Sequence, residues 1–200
     1  MQLAEKNSLN LDDPVAKYLP LKLGSKDNPI TIRHLLSHAS GIPALDTSLT
    51  IYYVLEKDKN IPIIPLSTKE DVFRFINNAK SEVLFKPTER FFYFNGGFTI
   101  LGYLIESVSG LSYEEYVHKN IFEPIGMVNS TFLNDKELLS NPNLAKGYVN
   151  QKLDILQIQT TVDHVNNPAG GIASNIPDLQ KYLTAMITKD SNLLTKKRIL

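Results

Sequence analysis

Apolar residues at Phe98, Leu101, Leu104, Ile105 and Val108 recur at helical spacing. They predict a helix that closes at Ser109-Gly110, with glycine as the left-handed C-terminal residue. The segment in front of it, from Pro87 on, is aromatic and carries Tyr93 and Asn95. Other elements are marked by caps. Thr31 predicts a short helix over 32–38. Ser67-Thr68-Lys69-Glu70 and Ser112-Tyr113-Glu114-Glu115 each place Glu three residues after Ser, the capping-box pattern. The first box opens a helix to about Ala79 with Val72, Phe73 and Ile76 on one face, and the second a helix through His118 and Asn120. Asp135 starts a short helix, and Ser174 or Asn175 caps another that carries Pro177 in its first turn and runs to about Thr188. Residues 144–150 and 153–160 predict a hairpin turning near Asn150-Gln151. Ile61-Pro62-Ile63-Ile64-Pro65 reads as extended, and Pro168-Ala169-Gly170-Gly171 as a permissive turn.

Helices therefore dominate, with a modest β component. Residues 1–6 read as a helix end, Thr195 as an N-cap and 196–200 as a single turn, so both termini fall inside secondary structure. The expectation is one partial domain over 1–200, cut on both sides.

Composition narrows the function classes. Of the 200 residues, 42% are hydrophobic and 21% charged, ordinary for a globular protein with a sizeable core. Acidic and basic residues are equal at 21 each, so net charge gives no case for nucleic acid or an anionic membrane surface. With no cysteine there are no disulfides and no thiolate metal sites. No apolar run is long enough to span a bilayer, and Met1-Gln2-Leu3-Ala4-Glu5-Lys6 is not a signal-peptide pattern.

The candidate chemistry is sparse. Tyr93 and Asn95 lie in a short turn against a buried helix, a common way to hold reactive groups rigidly. Read without function, Tyr93 is a core aromatic and Asn95 a cap. Phe91, Phe92, Tyr93, Phe94 and Phe98 are expected to be mostly core. His34 and His38 are four apart, but Leu35 stands where a zinc-protease motif needs Glu, so neither is assigned to a metal. His118 and His164 are isolated. Neither a Gly-x-Ser-x-Gly elbow nor a phosphate loop occurs. Asn129-Ser130-Thr131 is a formal glycosylation sequon, relevant only in a glycosylating secretory pathway. No cofactor is called for.

Four stretches resemble the β-lactamase-related serine hydrolases, which include class C β-lactamases, DD-carboxypeptidases, D-aminopeptidases and esterases. They are residues 9–20, residues 30–42 with Arg33-His34-Leu35-Leu36-Ser37-His38-Ala39-Ser40-Gly41, residues 91–106 with Tyr93-Phe94-Asn95, and Pro168-Ala169-Gly170-Gly171-Ile172 with Asp178-Leu179. The resemblance implies an α+β fold of the β-lactamase/transpeptidase type. It is represented here by its mainly helical portion, with most of the central antiparallel sheet missing. It also implies an acyl-enzyme mechanism on β-lactam, D-amino-acid peptide or ester substrates, in proteins often secreted or periplasmic. By position, Tyr93 is the proton-transfer residue and Asn95 the orienting amide. A phenol is a poor base at neutral pH unless cations sit beside it.

The family's nucleophile lies in Ser-x-x-Lys, and no serine here is followed three residues later by lysine. Of its third motif, a Lys- or His-led group ending in Gly on a strand, no Lys-Thr-Gly, Lys-Ser-Gly or His-x-Gly form occurs here. The chain alone is thus expected to be inactive. The alternative is a non-catalytic binding module that keeps the helical half of the fold. Two departures bear on local geometry: Thr88 stands where the family usually has Gly, and Phe94 where it has a small residue. A partial core should leave apolar surface uncovered, giving low stability or self-association.

Overall fold

The computed structural model describes residues 1–42, 68–78, 85–151, 154–158, 164–188 and 193–194. The expected segment 61–65, Ser67, Ala79 and the terminal turn at 195–200 lie outside the described residues. The chain divides into two units, Met1–Tyr113 and Glu114–Leu200.

In the first unit, α1 (Gln2–Glu5) is followed by a 3-10 turn (Val15–Lys17), α2 (Ile32–Leu36), α3 (Lys69–Asn78) and α4 (Asn95–Ser109). Helices α1 and α2 pack on α4. Leu11, Val15, Leu19, Ile30, Ile32 and Leu35 fill the space beside them. The 9–15 segment is fastened to α2 by Arg33 N–H to Leu11 O (2.8 Å) and Ile32 N–H to Asp13 O (3.2 Å). The exposed Asp12 carboxylate takes both Nε and Nη2 of Arg33, at 2.7 and 2.9 Å. Helix α3 buries Val72, Phe73 and Ile76, the face its pattern predicts. Its cap falls one residue later than the pattern suggested. Thr68 Oγ1 accepts from Asp71 N–H (3.1 Å) and Asp71 Oδ2 accepts from Thr68 N–H (3.2 Å), the same reciprocal device with Asp in place of Glu.

Helix α4 ends as expected, with Gly110 left-handed at φ 73°. Its burial differs from the predicted stripe. Gly97 and Thr99 to Leu104 are all buried, whereas Phe98, Ile105 and Val108 are only half-buried. The middle of the helix is enclosed on all sides. At Gly97 an added Cβ would meet the Phe94 ring at 3.3 Å and the Leu35 side chain at 3.6 Å, so a small residue lets neighbours close in there.

In the second unit, α5 (Tyr113–Val117) passes directly into a π turn (His118–Phe122) and a 3-10 turn (Glu123–Ile125). The His118 ring meets Phe122 and Phe132 edge-on at 5.0 and 5.8 Å. Strand β1 (Thr131–Phe132) is followed by α6 (Lys136–Leu139), whose N-cap Asp135 accepts from Glu137 N–H at 2.8 Å. Strands β2 (Gly147–Gln151) and β3 (Asp154–Ile158) form the expected antiparallel hairpin, with Val149 opposite Leu156. A 3-10 turn (His164–Ala169) leads to β4 (Ile172–Ala173), which pairs with β1, and to α7 (Ile176–Ile187). Asn175, one of the two predicted caps, accepts from Asp178 N–H at 3.0 Å.

The mainly helical α+β reading holds. Among the described residues the strands form two separate two-stranded sheets. No described helix is long and apolar enough to cross a membrane.

Candidate active site

The aromatic segment before α4 is held by the corner that ends α2. Thr88 N–H donates to Ala39 O (2.8 Å) and Phe92 N–H to His38 O (2.9 Å). Phe94 N–H donates to His38 Nδ1 (3.1 Å). Gly41 completes the corner at φ 77°, where an added Cβ would lie 2.1 Å from Phe85 O. Residues 88–94 are therefore tied at three points to residues 38–39, which fixes the register of Tyr93 within that segment.

Within that register Phe94 is extended (φ −137°, ψ 100°) and buried. Side chains alternate along extended backbone, so Tyr93 points away from the side that Phe94 fills. Phe94 fits because two glycines follow it. A Cβ on Gly96 would meet the Phe94 ring at 2.5 Å, and one on Gly97 at 3.3 Å. The large residue between Tyr and Asn thus leaves the turn intact.

Tyr93 is not a core aromatic, and Asn95 is not the helix cap. Tyr93 is 59% exposed rather than core, and Phe91 is 68% exposed. Among the described residues no hydrogen-bond partner meets the Tyr93 hydroxyl. Its ring lies 4.6 Å from the His38 ring, tilted by 36°. Asn95 is not the cap but the first residue of α4, since Phe94 occupies the N-cap position without a side-chain cap bond. Phe92 and Phe98 are half-buried, so of the five aromatics only Phe94 is fully core.

The two histidines of residues 30–42 do separate jobs, and neither points to a metal. His34 belongs to the α2 capping box: Thr31 N–H donates to its Nδ1 (3.2 Å), and His34 N–H donates to Thr31 Oγ1 (3.3 Å). Burial pushes its imidazole below the ordinary 6.5, against the pull of Asp12. His38 lies beyond the helix end at Leu36, in the left-handed region at φ 54°. Its part in the site was not legible from residue type. The signal was its place two residues past a capped helix and next to Ala39-Ser40-Gly41. Among the described residues there is no cluster of metal-ligating side chains.

In the second unit, the Pro168–Gly171 turn and Asp178 are structural. Asp178 is fully buried and accepts from Asn129 N–H (2.7 Å), Ser130 Oγ (2.9 Å) and Lys181 Nζ (2.8 Å). The Lys181 bond leads the effects that hold its carboxyl below the ordinary 3.8, with burial opposing.

The sequence matches the Beta-lactamase family over residues 1–199. It is 32% identical over 149 residues to penicillin-binding protein 4* of Bacillus subtilis, covering 74% of this chain and 30% of that protein. It is 29% identical over 183 residues to the teichoic acid D-alanine hydrolase of Staphylococcus aureus, covering 92% and 41%. The octameric penicillin-binding protein homologue of Pyrococcus abyssi superposes on the whole chain with a TM-score of 0.83 and 38% identity, this chain spanning 44% of it. A penicillin-binding protein of Bacillus halodurans superposes at 0.75 with 28% identity, the chain spanning 56% of it. The chain thus spans about a third of the length of these curated relatives and about half of these solved structures.

Proposed function

Because the chain belongs to the Beta-lactamase family over 1–199, we propose that it carries the proton-transfer segment of a serine hydrolase, with Tyr93 as the proton-transfer residue and Asn95 as the orienting amide. The observation that carries this is the exposure of Tyr93 in a segment whose register is fixed on both sides. A phenol held rigidly, with no hydrogen-bond partner among the described residues, is placed to exchange a proton with a nucleophile and a leaving group. The reaction is acyl transfer through a serine ester, on amide or ester substrates. One relative is named a teichoic acid D-alanine hydrolase and another a penicillin-binding protein. These names favour D-amino-acyl esters and amides as the substrate class.

This chain by itself is inactive in that reading, since none of its serines is followed three residues later by lysine. The test is to translate the coding frame upstream and express its whole product. An in-frame Ser-x-x-Lys should appear, the product should label with a fluorescent penicillin or fluorophosphonate, and Tyr93→Phe should slow labelling by about 100-fold. The isolated chain should not label. Labelling of the isolated chain, or equal labelling of Tyr93→Phe, overturns the proposal. A genuine start at Met1 would favour a non-catalytic binding module instead. The exposed apolar face of α7 supports self-association of the isolated chain.

A further inference from the structure

We propose that His38 is a positioning residue for the Tyr93–Asn95 pair, fixing the backbone on both sides of Tyr93 and covering one face of its ring; the proposal rests on the reading of Tyr93 as the proton-transfer residue.

Three properties of His38 act together. Its backbone is left-handed at φ 54°, which turns its carbonyl toward Phe92 N–H (2.9 Å). Its side chain reaches back in the other direction, so that Nδ1 accepts Phe94 N–H at 3.1 Å. One residue thus holds the amide before Tyr93 and the amide after it. Between these bonds its ring lies against Tyr93 at 4.6 Å and against Phe98, in the first turn of α4, at 5.1 Å. Phe91 closes on it edge-on at 5.6 Å.

The chemistry demands a narrow set of residues here. Phe94 is buried, and its N–H stands at the start of a helix, where no intrahelical acceptor exists. Left alone, that donor would be an unsatisfied buried group. The residue at 38 must therefore tolerate positive φ and carry an acceptor about two bonds beyond Cβ. Among common residues His, Asn and Asp combine these properties. Because an amide can only donate, Nδ1 carries the lone pair, and the proton of the neutral ring sits on Nε2.

The test compares His38→Asn with His38→Gly. Both accept the left-handed backbone, but only Asn keeps an acceptor near the Nδ1 position. In the 200-residue chain, ¹⁵N spectra should report the Nε2–H tautomer. The Phe94 amide should exchange about tenfold faster in His38→Gly, with His38→Asn close to wild type. Backbone order at Tyr93 and Asn95 should fall in the glycine variant alone. In the product of the whole coding frame, His38→Gly should lower kcat more than it changes KM, and His38→Asn should restore most of it. An Nδ1–H tautomer, or equal Phe94 exchange in the two variants, overturns the positioning role without touching Tyr93→Phe labelling. Loss of order in His38→Gly beside unchanged Tyr93→Phe labelling keeps the positioning role and overturns the catalytic reading.

Discussion

Thr88 sits at φ 73°, a region where a β-branched side chain is strained and glycine is not. It is exposed, and its N–H bond to Ala39 O depends on that backbone rather than on the side chain. Thr88→Gly should therefore raise stability despite the extra freedom of the unfolded chain. The relief of about 1–3 kcal/mol exceeds the entropic cost of about 0.4–1 kcal/mol. A rise in Tm of about 3 °C in calorimetry is expected, with no gain for Thr88→Ala. A fall in Tm for Thr88→Gly would show the strain argument to be wrong. The position was legible from sequence only as a departure from a family pattern; its sign came from the dihedral. Phe94 is the contrasting case. The bulky residue and the glycines that accommodate it, Gly96 and Gly97, are adjacent in the sequence, but that they compensate one another is visible only in the ring's position. Gly171 is similar: a Cβ there would stand 2.2 Å from Asn167 Oδ1, in a buried group that also donates to Glu114 Oε1 (2.6 Å).

Capped helices were the most legible elements, because caps and spacing are local. Thr31, Asp135 and Asn175 all cap as their residue types require. Two features escaped. The π turn at His118–Phe122 leaves no mark in the pattern, since one inserted residue shifts the helical face without changing composition. The all-round burial of α4 was hidden by its small residues. Asp178 shows how an element is fastened beyond its own cap. Standing in the first turn of α7, it takes Asn129 N–H and Ser130 Oγ from the loop before β1, and Lys181 ties Gly126 O to the same carboxylate. The carboxyl is held below 3.8, so its contribution is complete above about pH 3.8 and is lost as pH falls through the lower folded-state value. Asp178→Asn should lower Tm at pH 7 by roughly 10 °C, because it leaves Lys181 and two donors without a charge partner. Tm measured from pH 2 to 6 should converge for the two proteins at the acid end. A constant gap across that range would rule the charge out as the source.

At the scale of the whole molecule, the order of the segments and the expectation of an uncovered apolar surface were readable from the sequence, but which face it is was not. Helix α7 presents Ile176, Leu179, Leu183 and Ile187 along one stripe, at 82, 53, 59 and 67% exposure. Leu179, Leu183 and Ile187 lie four residues apart, the spacing of an amphipathic face that ordinarily meets a partner. Burying such a side chain is worth about 1.5–3 kcal/mol, so the stripe could gain roughly 6–12 kcal/mol. Association itself costs about 4–15 kcal/mol, so the net is at best about 8 kcal/mol, a Kd no tighter than about 1 µM. The isolated chain should therefore sediment with a weight-average coefficient that rises with concentration. Its thermal transition should broaden and depend on concentration as well. Leu183→Glu with Ile187→Glu places like charges on the stripe. It should return the chain to a monomer with little loss of folded structure, since neither side chain is packed in the core. A wild-type chain that sediments as a monomer at every concentration, with one sharp transition, would mean that α7 needs no partner to cover it.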